Sequence, residues 1–270
     1  MIFSQEQPLL REYLTKIINS SFPDDQNFLL NETIFYASLD RLKTCFSNIN
    51  KKYYRVSSVP SFNHLNSDHM CSLIYFISNE SYLAGDITSA EKFFYLNKIL
   101  HGLDLFYSIK LPETFIMVHP VGTVIGNASF GDFMVFYQNV TIGSDIDGIY
   151  PRFDGECILF SGSSVIGDVK VGKNVIIGAR SFVLHQPIPD NTVFTGVPGS
   201  SSQFPSKMSV KNNFFLNSIG ISENDQFAIN KFLSLVLILS TICFNFAISL
   251  INFILLLLFL LLEAQETGRE

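Results

Sequence analysis

Five histidines supply the side chains best suited to acid–base or metal chemistry near neutral pH. An imidazole titrates close to pH 7, so it can remove a proton from a weak nucleophile or bind zinc. His64 and His69 lie in an Asn- and Ser-rich stretch, and His185 follows the last segment of a repetitive region that contains His119. Catalytic zinc commonly takes three protein ligands. The repetitive region has only His119 and His185 in or beside it, 66 positions apart, so we expect no metal site.

Residues 113–199 carry apolar side chains at every sixth position, and this period predicts how the chain positions His119. The rows are Val118, Val124, Phe130, Phe136 and Ile142, then Phe153, Leu159, Val165, Val171, Ile177 and Val183. A six-residue repeat is typical of a β-solenoid, in which each repeat forms one short face and three faces form one coil. The pattern predicts a parallel β-solenoid over residues 113–199.

Residues 1–112 lack this period and are expected to form a helical N-terminal domain. The clearest predicted helix begins at Thr88, which with Glu91 has the spacing of a capping box. It is expected to run to about Tyr107. Because the ends of a solenoid must be covered, this domain is expected to cap one end of it.

The C-terminal part divides into a polar connector, residues 200–231, and a segment without charge, residues 232–262. About 20 apolar residues suffice for a helix to cross a bilayer, so the second segment is predicted to be transmembrane, as one span or as a re-entrant hairpin. Lys207, Lys211 and Lys231 precede it. By the positive-inside rule, the expected location is the cytoplasmic face of the inner membrane, with a C-terminal anchor.

Composition narrows the possible partners and compartment. The net charge is −6 and no run of Lys or Arg occurs, which argues against a nucleic-acid partner. The four cysteines are scattered, without a Cys-x-x-Cys pair, which favours a reducing compartment. The N-terminus, MIFSQEQPLL, lacks the features of a cleaved signal peptide.

Three stretches resemble the core of the bacterial serine O-acetyltransferases. They are HPVGTVIGNASFGDFMVFYQNVTIGS (residues 119–144), residues 150–184, and the closing IPDNTVFTGVPG (residues 188–199). The resemblance covers about 80 residues well and the helical half only loosely. It implies an α+β fold with a helical region before a left-handed β-helix. It also implies a homotrimer and acetyl-CoA as co-substrate, without a metal.

By this resemblance His119 is the catalytic base, which removes the hydroxyl proton of the acceptor as the oxygen attacks the thioester. The alternative is that His119 and Pro120 match a structural His-Pro where the family's solenoid starts. The family has an Asp before its catalytic His, and Val118 stands there in this chain. Asp104, Glu113 and Asp68 are candidates for a carboxylate that orients the imidazole, and the sequence does not select among them.

The resemblance also implies where the substrates bind. Acyl-CoA is expected in the groove between the coils of neighbouring subunits, against the backbone at Ser161, Gly162, Gly178 and Ala179. The family's acceptor-binding Arg and His correspond to Ile149 and Tyr150. Without that cationic pair a free serine carboxylate loses its partner.

We therefore expect a membrane-tethered O-acetyltransferase that acts on a sugar hydroxyl of a capsule or O-antigen precursor, with Tyr150 and Asp104 as acceptor contacts. Two alternatives remain open. One is a serine O-acetyltransferase of cysteine biosynthesis, and the other is an inactive hexapeptide scaffold.

Overall fold

The structure is a computed structural model that describes residues 1–24 and 27–216. Its N-terminal half contains four helices and a small sheet. The helices are α1 (Gln7–Ser21), α2 (Glu32–Ser47), α3 (Ser67–Leu83) and α4 (Ile87–His101). The sheet has β1 (Ile2–Phe3), β2 (Arg55–Val56) and β3 (Val59–Phe62), in the order β1-β3-β2. The α+β prediction is confirmed: helices come first and a parallel β-solenoid follows.

Helix α3 is the central helix of the N-terminal half, because it packs against both α2 and α4. Most of its side chains are therefore buried, on all sides of the helix. It begins after Asn66, whose side-chain oxygen accepts hydrogen bonds from the main-chain N–H groups of Asp68 and His69. This cap holds the first turn of α3, and with it Asp68, in a defined position.

Helix α4 differs from its predicted bounds at both ends. Asp86, not Thr88, caps the N-terminus, by accepting a hydrogen bond from the N–H of Ser89. The helix ends at His101 because Gly102 adopts a left-handed conformation (φ +62°) and its N–H bonds to the Lys98 carbonyl. Asp104, predicted to lie on the helix, instead starts the first strand of the solenoid.

The solenoid consists of short strands in three sheets. The strands are β4 (Asp104–Leu105), β5 (Phe115–Met117), β6 (Val124–Ile125), β7 (Ser129–Phe130), β8 (Met134–Phe136), β9 (Thr141–Gly143), β10 (Arg152–Phe153), β11 (Cys157–Leu159), β12 (Ser164–Ile166), β13 (Lys170–Val171), β14 (Val175–Ile177), β15 (Phe182–Leu184), β16 (Thr192–Val197) and β17 (Ser200–Pro205). The first sheet has the order β4-β6-β9-β12-β15, the second β5-β8-β11-β14-β16-β17 and the third β7-β10-β13. All neighbours pair in parallel except β16 and β17, which form an antiparallel hairpin.

The interior of the solenoid is a stack of apolar side chains from equivalent positions of successive coils. The second sheet contributes Met117, Phe136, Leu159, Ile177 and Phe194, and the first contributes Ile125, Ile142, Val165 and Val183. Each of these is at most 2% exposed. Burial of one such side chain stabilises the fold by about 1.5–3 kcal/mol, so the repeat itself supplies the core.

The six-residue period fails at the turn from β5 to β6, as it also does in the longer loop between Ile142 and Phe153. From Leu159 to Val165 the chain advances six residues between core positions, but from Met117 to Ile125 it advances eight. Val118 and Val124, which the sequence pattern places in the core, are half-buried and exposed respectively. The corner is therefore two residues longer than the corner after β11, and His119 lies on it.

Residues 206–216 run back past Asn191, Asn174 and Phe133, which precede strands of the second sheet, and we call them the C-terminal strap. The strap contains helix α5 (Val210–Phe214). Its first end is tied to the solenoid by a 2.9 Å bond from the Val210 N–H to the Asn174 side chain. Its other end bridges the N-terminal half, where the Leu216 N–H donates to the Asn48 carbonyl (2.7 Å). Part of the predicted polar connector is thus ordered against the fold.

The predicted location at the inner membrane is contradicted. Within residues 1–24 and 27–216 no helix is both long and apolar enough to span a bilayer. The longest of them, α3, has 17 residues and therefore extends about 25 Å, and it carries Asp68 and Glu80. The hydrocarbon core is about 30 Å thick. The predicted transmembrane segment, residues 232–262, lies outside the described residues.

Candidate active site

His119 occupies the long corner between β5 and β6, in a left-handed backbone conformation (φ +49°). This conformation is uncommon for a residue other than glycine. Two hydrogen bonds hold it: the His119 N–H donates to Asp68 Oδ1 (2.9 Å), and the His119 carbonyl accepts from the Val121 N–H (2.7 Å). The imidazole points outward and its side chain is 73% exposed.

Asp68 provides the carboxylate beside His119. Its side chain is only 16% exposed, and its Oδ1 lies 4.0 Å from His119 Nδ1. Burial raises the pKa of the Asp68 carboxyl, and the hydrogen bond from the His119 N–H opposes that rise. The same carboxylate therefore fixes the His119 main chain and lies within electrostatic reach of the ring.

The two other candidate carboxylates lie elsewhere. Asp104 pairs with Lys98 (2.9 Å) at the start of β4. Glu113 lines a separate cleft, together with Arg41 and Asp132. Of the three candidates that the sequence left open, the structure brings Asp68 to His119.

A cavity of about 680 Å³ opens beside His119, a volume in the range of small-molecule sites. Its walls come from five places: the 3₁₀ turn after α2, the start of α3, the end of β5, the residue after β8 and the C-terminal strap. The lining residues are Lys51, Lys52, Tyr53, Tyr54, Leu65, Asn66, Ser67, Asp68, Ile116, Val118, His119, Tyr137 and Phe214. Both halves of the protein thus contribute to one site.

Tyr54 connects the 3₁₀ turn (Lys52–Tyr54) to the strand that carries His119. Its hydroxyl donates to the Met117 carbonyl (3.2 Å), two residues before His119. Its ring is buried against Phe46 and His69, with centroid distances of 4.8 and 4.5 Å. The turn is therefore held at a fixed position relative to His119.

The predicted CoA-binding residues lie along the same edge of the solenoid as His119. Four successive corners form this edge, residues 118–123, 137–140, 160–163 and 178–181, and we call it the His119 edge. Main-chain hydrogen bonds stack the corners: Asn139 N–H to Val121 (3.0 Å), Gly162 N–H to Gln138 (3.0 Å) and Arg180 N–H to Ser161 (2.9 Å).

Ser161, Gly162, Gly178 and Ala179 occupy the third and fourth corners of the His119 edge. Neighbouring strands are about 4.8 Å apart, so the fourth corner lies about 14 Å along the edge from the first. A Cβ on Gly178 would lie 3.0 Å from the Thr195 methyl carbon, so the next coil packs closely there.

Tyr150, predicted to contact the acceptor, lies at a different corner, between β9 and β10. Its ring packs over Gly126, where a Cβ would come within 2.5 Å of the Tyr150 ring. Neither Tyr150 nor Asp104 lines the His119 cavity. The structure does not bring these two residues to His119 within the described chain.

The remaining histidines differ in their surroundings. His69 is enclosed by the rings of Phe46, Tyr54 and Phe62, and burial lowers its pKa to about 4. His69 Nδ1 accepts a hydrogen bond from the Asn63 N–H (3.0 Å), which indicates a structural role. His185 lies 3.8 Å from Asp145, beside the loop after β9.

Sequence reasoning missed Lys51, Tyr54 and Phe214 as residues of the site. No period or motif marks them, because they lie in a turn and in the strap rather than in the repeat. The local signal in this region concerns Asp68 instead: Asn66 is a strong N-cap residue, and it places Asp68 in the first turn of a helix.

Sequence and structure comparisons show which proteins this chain resembles. A serine acetyltransferase of Synechococcus elongatus is 30% identical over 109 residues, which cover 39% of this chain and 44% of the relative. One of Staphylococcus epidermidis is 29% identical over 129 residues, covering 46% and 60%. The chain is similar to the serine acetyltransferases. The resemblance inferred from the repeat is thereby confirmed, although the matches span only about half the length of these relatives.

Solved serine acetyltransferases share the fold at low identity. That of Brucella abortus matches with a TM-score of 0.53 and 16% identity, over 75% of this chain and 77% of the other. That of Vibrio cholerae matches with 0.52 and 19%, over 73% and 71%. No protein-family model matches the chain.

Proposed function

We propose that this protein transfers an acetyl group from acetyl-CoA to the hydroxyl of serine, with His119 as the base. One observation carries the proposal. His119 and its carboxylate, Asp68, border a cavity at one end of a stacked edge whose third and fourth corners carry small residues. The edge suits an extended pantetheine arm, because the small side chains of its third and fourth corners leave room for the arm to lie against the backbone.

In the proposed reaction His119 takes the proton of the acceptor hydroxyl as the oxygen attacks the thioester carbonyl. The tetrahedral intermediate then collapses, the carbon–sulfur bond breaks, and the imidazolium returns the proton to the leaving sulfur. The products are the O-acetyl ester and free CoA. Asp68 stabilises the transient imidazolium by its negative charge and holds the corner in place through the His119 N–H.

The proposed acceptor is serine, and not the sugar that was expected because Ile149 and Tyr150 stand at the family's acceptor-binding positions. No comparison supports a capsule or O-antigen acceptor, whereas the relatives named above are serine acetyltransferases. The absence of a cationic pair at positions 149 and 150 argues less strongly against serine if another cation, able to bind the serine carboxylate, faces the cavity.

The proposal includes a homotrimer with left-handed coils. The His119 side chain is 73% exposed, so in a single chain the imidazole is surrounded by water. Exclusion of water would strengthen the electrostatic interactions of the imidazole with its substrates. A second copy packed along the His119 edge would enclose both the imidazole and the pantetheine groove. The expected molar mass in solution is three times that of the 30.4 kDa chain.

The test is CoA release from acetyl-CoA with serine or with nucleotide sugars, and mass spectrometry of the product. O-acetylserine is the expected product. His119→Ala should slow transfer by about 10²–10⁴-fold while acetyl-CoA still binds. Near-normal turnover of that variant would favour the structural His-Pro alternative. Transfer to a sugar but not to serine would refute the proposed acceptor, and failure to bind acetyl-CoA would favour an inactive scaffold.

A further inference from the structure

Two lysines, Lys51 and Lys52, border the cavity beside His119. Lys51 is half-buried and Lys52 is exposed. None of the ion pairs within residues 1–24 and 27–216 involves either of them. No carboxylate oxygen of the described chain therefore lies within 4.0 Å of either ammonium group, although Asp68 lines the same cavity.

Lys51 is held in place by an aromatic ring and by backbone pairing. Its Nζ lies 3.7 Å from the centroid of the Phe214 ring, close enough for a cation–π interaction. The Asn50 N–H donates to the Phe214 carbonyl (2.9 Å), and Ile49 forms a bridge with Phe215. The C-terminal strap thus presents Phe214 to Lys51 as a fixed platform.

This environment is unfavourable for a cation without an anionic ligand. Partial burial lowers the pKa of Lys51, because the ammonium loses some of its hydration. An anion entering the cavity would restore the lost interactions, since a charge-assisted hydrogen bond is about twice as strong as a neutral one.

We propose that Lys51 binds the carboxylate of the acceptor amino acid, on a rigid platform made by Phe214. The inference rests on the proposed function. It supplies from the helical half the positive charge that Ile149 and Tyr150 do not provide. Lys51 would act on the acceptor rather than on CoA, because it shares one cavity with His119, where the acetyl group reacts. The nucleotide end of CoA would lie beyond the third and fourth corners of the His119 edge.

The decisive variant is Lys51→Met, which keeps most of the stem and removes the charge. The matched control is Lys211→Met. Lys211 also lies over a ring, that of Phe133 (4.5 Å), and on the same strap, but it does not line the His119 cavity. Serine and serinamide are compared as ligands, because they differ only at the carboxylate that Lys51 is proposed to bind.

Binding is measured by titration calorimetry, and transfer by kcat/KM for each acceptor. For Lys51→Met we expect serine affinity to fall about ten- to hundredfold, or about 1.4–2.8 kcal/mol, with serinamide affinity changed less than threefold. The KM for acetyl-CoA should not change, Lys51→Arg should retain most serine affinity, and Lys211→Met should behave as the wild type.

Equal losses for serine and serinamide in Lys51→Met would overturn the assignment of Lys51. Lack of serine binding by the wild type would overturn it as well. If the wild type binds serine in a Lys51-dependent way but does not acetylate it, the binding role stands and the proposed function fails. If serine is acetylated and Lys51→Met has no selective effect, the function stands and the role of Lys51 fails.

Discussion

The contact between Asp68 and His119 allows the charge of the carboxylate to be separated from its hydrogen bond. Asp68→Asn retains a side-chain oxygen that can accept the His119 N–H at 2.9 Å, but it removes the negative charge. Asp68→Ala removes both. The pair of variants therefore tests whether Asp68 acts on the imidazole or only on the backbone of the corner.

The expected size of the charge effect follows from the 4.0 Å separation of Asp68 Oδ1 and His119 Nδ1. Coulomb's law gives about 1 kcal/mol at this distance in a water-like medium and about 4 kcal/mol at an effective dielectric constant of 20. Because most of the imidazole is exposed, the lower part of this range applies, about 1–2 kcal/mol. Asp68→Asn should therefore lower kcat about 5- to 30-fold.

The assay is steady-state acetyl transfer, with thermal unfolding as the structural control. Asp68→Asn should unfold at nearly the wild-type temperature. Asp68→Ala should have a lower kcat than Asp68→Asn. Its free energy of unfolding should fall by about 1.5–3 kcal/mol, because the His119 N–H loses a charged acceptor. Because burial raises the pKa of Asp68, ionisation of this group should contribute an acidic limb to the kcat profile, absent from Asp68→Asn. Unchanged kcat in Asp68→Asn would refute the electrostatic role.

Two further predictions concern the fold. Gly131→Ala should destabilise the solenoid by about 1–3 kcal/mol in denaturant unfolding, because its Cβ would lie 2.5 Å from the Asp154 carbonyl oxygen of the next coil; an unchanged midpoint would contradict the close packing. For His69, whose pKa is about 4 in the folded protein and about 6.5 when unfolded, the unfolded chain binds the extra proton between these values. The contribution of neutral His69 to the free energy of unfolding is thus fully present above pH 6.5, and up to about 3 kcal/mol of it is lost as the pH falls to 4. In His69→Gln the free energy of unfolding should depend less on pH over this range. An unchanged pH dependence in that variant would contradict the assignment.

The interior of the solenoid was predictable because each coil contacts mainly the coil before and after it. The spacing from Phe153 to Val183 specifies which side chains point inward, and all of its six-residue positions are buried. The helical bounds were less accurate. Gly102 is a stop signal in the sequence, and α4 ends before it rather than near Tyr107 as predicted.

The longer corner that carries His119 could not be read from the repeat, because the pattern of apolar residues concealed it. Val118 and Val124 preserve a six-residue step in the sequence, while the core positions there are Met117 and Ile125. Because apolar residues also stand at the expected six-residue step, the sequence pattern does not reveal that this corner is two residues longer. The departure became visible only from the strand register, in which Met117 pairs with Phe136 and Ile125 with Ile142.

The walls of the cavity depend on contacts that no local pattern encodes. Asp68 reaches His119 across 51 positions, Tyr54 reaches Met117 across 63, and Lys51 meets a ring at position 214. Each contact joins an irregular segment to the regular solenoid, so each depends on how the helical half docks. A repeat that is satisfied by its own neighbours can tolerate a longer corner and a docked domain without loss of its core. The His119 cavity lies beside one place where the period is broken, and residues that break a strong repeat are the first to test for chemistry.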